Sequence, residues 1–268
     1  MKTIHRKRSP LRVSVAAAAL LGASAITGVA HAAMMWGVQF VTPNGSPTGS
    51  ALPLTSGQTA GLVSQANWNP VLLRNSSNTN LGYTNAPVNS RTGGKPITIS
   101  FNPFTDNYNT GTYNGGATTD DILLSGAAKE TGVGSTGTIT LGSVPTGTYH
   151  LIAYTVDDNS GDTGAYTVGS TTYYALNQKG SNWNGTFIQS TSTTLAGATT
   201  ATNYVEFTGI SPDNNGNVSI SFQYAAGSSD GVAVNALQLI AAPEPATLAL
   251  MAACGLGMGL LPRKRQGV

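Results

Sequence analysis

Between residues 217 and 224 the chain alternates without a break. Val218, Ile220 and Phe222 face one way, while Ser219, Ser221 and Gln223 face the other. A period of two is the geometry of a strand with one buried face. Short runs rich in Val, Ile, Thr, Tyr and Phe, each bounded by Gly, Asn, Asp or Pro, recur along the chain. They predict strands at 36–42, 96–101, 136–142, 147–156, 164–176, 185–191, 203–210, 217–224 and 231–240. The run 164–176 is broken by Val168-Gly169-Ser170, which predicts a hairpin. The last run places Val232, Val234, Ala236, Gln238 and Ile240 on one side and Ala233, Asn235, Leu237 and Leu239 on the other. Both sides are mostly apolar, which predicts a strand covered on both faces, with one polar interruption on each. No segment between 34 and 240 carries a helical period. Segments 43–57, 75–95 and 211–217, rich in Ser, Thr, Asn, Gly and Pro, read as loops. No fixed-period repeat is present, which argues against a propeller or β-helix. The expected fold is all-β: an antiparallel β-sandwich of jelly-roll type, two sheets packed face to face.

The two ends follow other rules. Lys2, Arg6, Lys7, Arg8 and Arg12 precede an apolar stretch at 13–29, and Ala30-His31-Ala32 offers small residues at a cleavage position. This is the pattern of a secretory signal peptide over 1–32, with a mature chain starting near Ala33. An uncleaved N-terminal anchor is the competing account. At the other end, Pro243-Glu244-Pro245 can continue neither helix nor sheet. Residues 246–261 carry no charge and a single Thr, and Arg263, Lys264 and Arg265 follow. As a helix, 246–261 spans about 24 Å, a minimal transmembrane crossing against a hydrocarbon core of roughly 30 Å. The basic cluster favours the cytoplasmic side. A tail that lies over a globular core would carry polar residues on one face, and a GPI signal would end apolar rather than basic. The expected organisation is a signal peptide at 1–32, an exported domain at 33–242 and a C-terminal signal at 243–268.

Charge must be recounted without those ends. Of thirteen Lys and Arg, five precede residue 13 and three follow residue 262; ten of eleven acids lie within 33–242. The exported region thus has five bases against ten acids, a net charge of −5. A nucleic-acid partner, which calls for a basic stripe, is not expected. Cys254, in the tail, is the only cysteine. Disulfides, thiolate metal sites and a Cys nucleophile are therefore excluded for the exported region. Its 210 residues must find stability in an apolar core, for which that length suffices.

The tail, with its Pro-Glu-Pro motif, apolar helix and terminal basic cluster in that order, resembles the PEP-CTERM sorting signal of Gram-negative bacteria. The resemblance implies an exosortase as partner, reading Pro243, Glu244 and Pro245 and cutting near them. The helix and Arg263, Lys264 and Arg265 would then be a membrane stop, and the exported domain would reach the cell surface or matrix in association with exopolysaccharide and biofilm. The order of strands from 143 to 240, ending in Asn235-Ala236-Leu237-Gln238-Leu239-Ile240, also resembles jelly-roll domains common in such proteins, which are related in shape to carbohydrate-binding modules.

Catalytic chemistry finds little purchase. Gly227-Ser228-Ser229-Asp230-Gly231 has the G-x-S-x-G form, but a strand follows where a nucleophile elbow needs a helix, and no His lies beyond His150. His150, the one histidine of the expected mature chain, sits mid-strand and reads as structural. A glycosidase needs two carboxylates across a cleft; Asp120 and Asp121 are adjacent and in a strand would diverge. No enzyme is expected. Ca²⁺ is the one candidate cofactor. Asp157, Asp158, Asn159 and Asp162 share one turn, and Asp213, Asn215 and Asn217 share another. Asp, Asn and Gly are also ordinary turn residues, and that account is preferred. Trp68 and Trp183, set among polar residues, are the candidate glycan-binding rings, with Tyr108 and Tyr113 in similar surroundings. Tyr154, Phe207 and Phe222 are expected in the core. The expected function is an exported, non-catalytic cell-surface or matrix protein. The alternative is a carbohydrate-binding module using Trp68 or Trp183, with or without Ca²⁺.

Overall fold

The structure, a computed structural model, describes residues 34–42, 53–75, 79–91, 93–109, 118–227 and 231–242. The expected signal peptide, the C-terminal tail with its Pro243 to Pro245 motif and Arg263 to Arg265 cluster, Ser229 and Tyr113 lie outside these residues. In chain order the strands are β1 (Met35–Val41), β2 (Asn69–Leu72), β3 (Tyr83–Val88), β4 (Ile97–Phe101) and β5 (Asp106–Asn109). A single-turn helix, α1 (Thr119–Leu123), precedes β6 (Gly126–Glu130), β7 (Thr136–Gly142), β8 (Tyr149–Tyr154), β9 (Thr163–Val168) and β10 (Thr171–Asn177). The remainder are β11 (Gln189–Ser190), β12 (Ala201–Thr202), β13 (Tyr204–Ile210), β14 (Val218–Ala226), β15 (Val232–Val234) and β16 (Ala236–Ala241). Among the described residues no helix is long and apolar enough to cross a membrane.

The strands form a six-stranded sheet in the order β11-β13-β8-β16-β1-β2 and a seven-stranded sheet in the order β12-β10-β9-β14-β7-β4-β3. A three-stranded sheet, β15-β6-β5, completes the fold. Pairing is mainly antiparallel; the exceptions, β1 with β2, β10 with β12 and β11 with β13, are short additions at the margins. One apolar core fills the space between the two large sheets. Trp36, Val38, Phe40, Leu151, Leu237 and Leu239 come from the first, and Ile97, Ile99, Ile139, Tyr166, Ile220 and Phe222 from the second. Phe101 and Phe104 stack with centroids 4.8 Å apart, and Phe40 meets Phe101 edge-on at 5.9 Å, the offset and edge geometries aromatic pairs prefer. The chain is thus an all-β sandwich.

Where the pattern was strong, it placed strands well. The run 136–142 coincides with β7, and β14 buries Val218, Ile220, Phe222 and Tyr224 while Ser219 and Gln223 stay exposed. The 164–176 run is a hairpin. Val168 pairs with Thr171 across Gly169-Ser170, and Gly169 has φ of +58°. Glycine at the first central position is what a type II′ turn requires. The run 231–240 is two strands, because the chain leaves the three-stranded sheet for the six-stranded one at Asn235. There the Asn235 side chain donates to the carbonyls of Leu124 (2.9 Å) and Gly126 (3.1 Å) and accepts from the Val156 amide (2.6 Å). The polar interruption is the joint between sheets.

Three expectations need correction. Segment 75–95, read as loop, contains β3, whose Pro87 and exposed Thr84 and Asn85 suit a margin and hide the strand signal. Segment 185–191 is strand only at Gln189–Ser190. β2, β5, β12 and α1 were not foreseen, being too short for a period to show, nor was β6, which is buried throughout and carries Lys129 and Glu130 without alternation.

Candidate functional site

At one end of the sandwich the β9–β10 hairpin tip, the end of β13 and the start of β14 enclose an open groove of about 650 Å³. Between Phe207 and Ile210 β13 carries one more residue than β8 opposite, a β-bulge, and Gly209 sits there at φ of +69°. A bulge bends its strand and re-aims the neighbouring side chains; here it leaves Thr208 and Gly209 exposed at the groove. The groove's apolar part is Val168, Tyr173, Phe207 and Ile210, with Tyr173 and Phe207 rings 5.2 Å apart at 48°. Thr171, Thr208, Ser211 and Ser219 bring hydroxyls to it.

Among the described residues a single carboxylate, Asp213, lines the groove. Its Oδ1 accepts the amides of Asn215 and Asn217, each at 2.8 Å, and its Oδ2 accepts from Asn217 Nδ2 at 3.4 Å. The backbone hydrogen bond from Asn217 is the main cause that holds the Asp213 carboxyl below its ordinary value. The 211–217 segment, with Asp213, Asn215 and Asn217, is a self-contained Asx turn in which Asp213 organises the loop. This geometry brings together an aromatic surface, hydroxyl donors and acceptors, and one committed carboxylate. Among the described residues no second carboxylate, which glycoside hydrolysis employs, lines the groove.

The residues foreseen as site candidates fall elsewhere. Trp68, a candidate for an exposed ring, is 4% exposed. It packs edge-on against Tyr154 at 6.3 Å, and its indole N–H donates to the Gln65 carbonyl at 2.9 Å. Its polar sequence neighbours mislead because the 53–68 segment folds over the outer face of the six-stranded sheet. Trp183 is half-buried against Phe187 at 5.1 Å, and its indole nitrogen is buried without a hydrogen-bond partner. His150 Nδ1 pairs with Glu206 Oε1 at 3.0 Å across β8 and β13, a half-exposed cross-strand pair on the outside of the sheet. Tyr154, Phe207 and Phe222 are buried, as expected; Phe207 also lines the groove.

The four candidate calcium residues separate into two sets. Asp162 accepts from the Tyr224 hydroxyl (2.9 Å) and the Gly231 amide (3.3 Å). Asp157 and Asp158 face Lys129, whose Nζ lies 3.2 Å from Asp157 Oδ1 and 2.5 Å from Asp158 Oδ1. Asn159 Nδ2 donates to Asp158 Oδ2 at 3.2 Å. An ammonium therefore holds the place a cation would take, and the set does not fit Ca²⁺ with its roughly six to eight oxygen ligands. Among the described residues no group of three or more His, Cys, Asp or Glu is arranged to hold a metal. Burial, and then the hydrogen bond with Asp158, pushes the Asp157 carboxyl up to about 8. Asp158 is also desolvated, but the hydrogen bond from Asp157 and the Lys129 ammonium hold it below its ordinary value. The pair shares one proton, which Asp157 keeps.

Sequence reasoning passed over Tyr173 and Lys129. Tyr173 lies in a strand whose aromatic content reads as core, and only the bulge in β13 opens the space beside it. Lys129 is separated by 28 positions from the aspartate it meets.

No protein-family model matches the chain, and no curated protein matches it. Among solved structures, TmCBM61 in complex with beta-1,4-galactotriose aligns at 12% identity and a TM-score of 0.30, covering 55% of this chain and 90% of that one.

Proposed function

We propose that this chain is an exported, non-catalytic cell-surface or matrix protein that engages exopolysaccharide through the groove between β9, β10, β13 and β14. The observation that carries the polysaccharide reading is the pairing of the Tyr173 ring with a hydroxyl rim around a groove whose carboxylate, Asp213, is already committed to its own loop. Sugars present apolar C–H faces and polar edges, so a half-buried ring beside Thr and Ser hydroxyls offers each a partner. Export and exosortase sorting rest on the sequence of 1–32 and 243–268. The jelly-roll reading of the sandwich is supported by strand order. β1-β16-β8-β13 in one sheet and β7-β14-β9-β10 in the other nest as two interlocked four-strand sets.

Titration of the surface-purified protein with the host's own exopolysaccharide tests the groove. Saturable binding is expected, weakened about tenfold by Tyr173→Ala, or about 1.4 kcal/mol, and unchanged by Trp183→Ala. Binding indifferent to Tyr173, or none, overturns the groove reading. Sorting is tested by mass spectrometry of the surface-located chain. The C-terminal peptide is expected to end near Pro243, and recovery of peptides through Arg265 overturns cleavage.

A further inference from the structure

Lys129 lies on β6, the central strand of the three-stranded sheet, between Asp106 of β5 and Ala233 of β15. Its side chain is 0% exposed, and its Nζ stands 5.3 Å from the Tyr108 ring centroid. A Cβ added at Gly231 would lie 3.2 Å from Lys129 Cε, so the backbone there confines the stem of the amine. Asp157 is held equally firmly: its amide donates to the Gln178 carbonyl (3.0 Å) and its carbonyl accepts from Gly180 (2.6 Å). The Asp157 side chain is 1% exposed, and its Oδ2 is buried with no hydrogen-bond partner. Two carboxyl groups thus meet one ammonium where water is nearly absent, an arrangement whose desolvation is costly while the charges persist.

We propose that Lys129 and Asp157 condense into an intramolecular isopeptide bond, with Asp158 transferring the protons. The Asp158 carboxylate takes a proton from the Lys129 ammonium, and the freed Nζ lone pair attacks Asp157 Cγ to form the C–N bond. Asp158 returns that proton to the Asp157 Oδ1 hydroxyl, the oxygen that faces both Lys129 and the Asp158 amide, and accepts a second from nitrogen; the Cγ–Oδ1 bond breaks and water departs. One ammonium, one carboxylic acid and one carboxylate become an amide, a water and a neutral Asp158. Atoms and charge balance with no oxidant or cofactor. Asp157 suits the electrophile because it keeps its proton; Oδ1, held between Lys129 and Asp158, is the leaving oxygen, and Oδ2 stays as the amide carbonyl. The bond ties β6 to the segment after β8, a cross-link acting on the unfolded chain as a disulfide does, in an exported region without cysteine.

Trypsin digestion of the full folded chain reads the outcome directly. Trypsin does not cut after an acylated lysine, and Lys95 precedes Pro96. A linked chain therefore yields 92–179 as one peptide lighter than its sequence by one water, with fragment ions joining Lys129 to Asp157. Lys129→Arg and Asp157→Ala are expected to restore full mass, and Asp158→Asn to leave most chains unlinked. The wild-type digest stands alone should a variant fail to fold. A peptide ending at Lys129 with no mass deficit in the folded wild-type chain overturns the bond. Fragment ions that place the link on Asp158, or full linkage in Asp158→Asn, overturn the assigned roles.

Discussion

The two large sheets treat their outer faces in opposite ways. Outside the six-stranded sheet, Ile152, Tyr154, Tyr204 and Ala236 form a second core with Leu54, Trp68, Leu123 and Leu124. The 53–68 segment and α1 cover that face. Its polar groups are tied to the cover: Gln39 Nε2 donates to the Ile122 carbonyl at 2.9 Å, and Gln238 Nε2 donates to Val63 at 2.6 Å. Tyr154 Oη donates to Gln238 Oε1 at 3.0 Å and accepts the Leu62 amide at 2.7 Å. Outside the seven-stranded sheet lies a field of hydroxyls. Thr172, Thr167, Ser221 and Thr138 form one cross-strand row, and Ser219 and Thr140 pair beside it. These groups bond one another, Thr167 to Thr172 at 2.8 Å and Thr140 to Ser219 at 2.9 Å, and stay half-buried or exposed. A covered face makes each polar atom depend on a distant partner. An open face lets water supply what a neighbour does not.

Tyr154→Ala should expose that asymmetry most. Loss of a buried ring packed on Trp68 and Phe187, together with its two hydrogen bonds, is expected to cost about 4 kcal/mol in urea unfolding. A loss below about 1 kcal/mol would mean that the cover is not integral to the fold. Asn235→Ala comes next. It strands the carbonyls of Leu124 and Gly126 and the amide of Val156 where water does not reach, for on the order of 3 kcal/mol. Asn235→Asp should fare no better, since it cannot donate to either carbonyl. On the open sheet Thr167→Ala should cost less than about 1 kcal/mol, the scale of one cross-strand pair. A larger loss there would erase the contrast between the faces.

Acid gives the smallest effect. Asp213 has its folded value below the ordinary 3.8, so its contribution is present above that value and fades as pH falls through the lower folded one. The melting temperature of Asp213→Asn should sit slightly below wild type at pH 6, and the gap should close in acid below about pH 4. A gap constant with pH would show that the turn does not depend on the carboxylate's charge.

The same contrast explains what could be read beforehand. β14 and β7 were legible because an open face enforces alternation, residue by residue. β16 was legible as doubly covered because Leu237 and Leu239 oppose Ala236 and Ile240 in the sequence itself. What covers it was not, since the 53–68 segment is polar in composition and shows its purpose only once Trp68 is laid on Tyr154. The groove was hidden for a related reason. Phe207 reads as core and is core, but the bulge at Thr208 and Gly209 brings Tyr173 and the hydroxyls around it into one recess. Aspartates at 157, 158 and 162 read as a turn, with Ca²⁺ as the minor candidate, and nothing local announced the lysine that meets two of them.

By itself the sequence determined the all-β class, the principal strands and their buried faces, the hairpin at Gly169, and the absence of cysteine and net charge of −5 over residues 33–242. These follow from local rules, period, turn chemistry and counting, which act over a few residues. Tertiary structure alone decided that Asn235 joins two sheets, that Trp68 lies buried, that Tyr173 faces an open groove and that Lys129 meets Asp157. Each of these depends on segments far apart in sequence brought to contact distance, and no local pattern encodes a distance between strands.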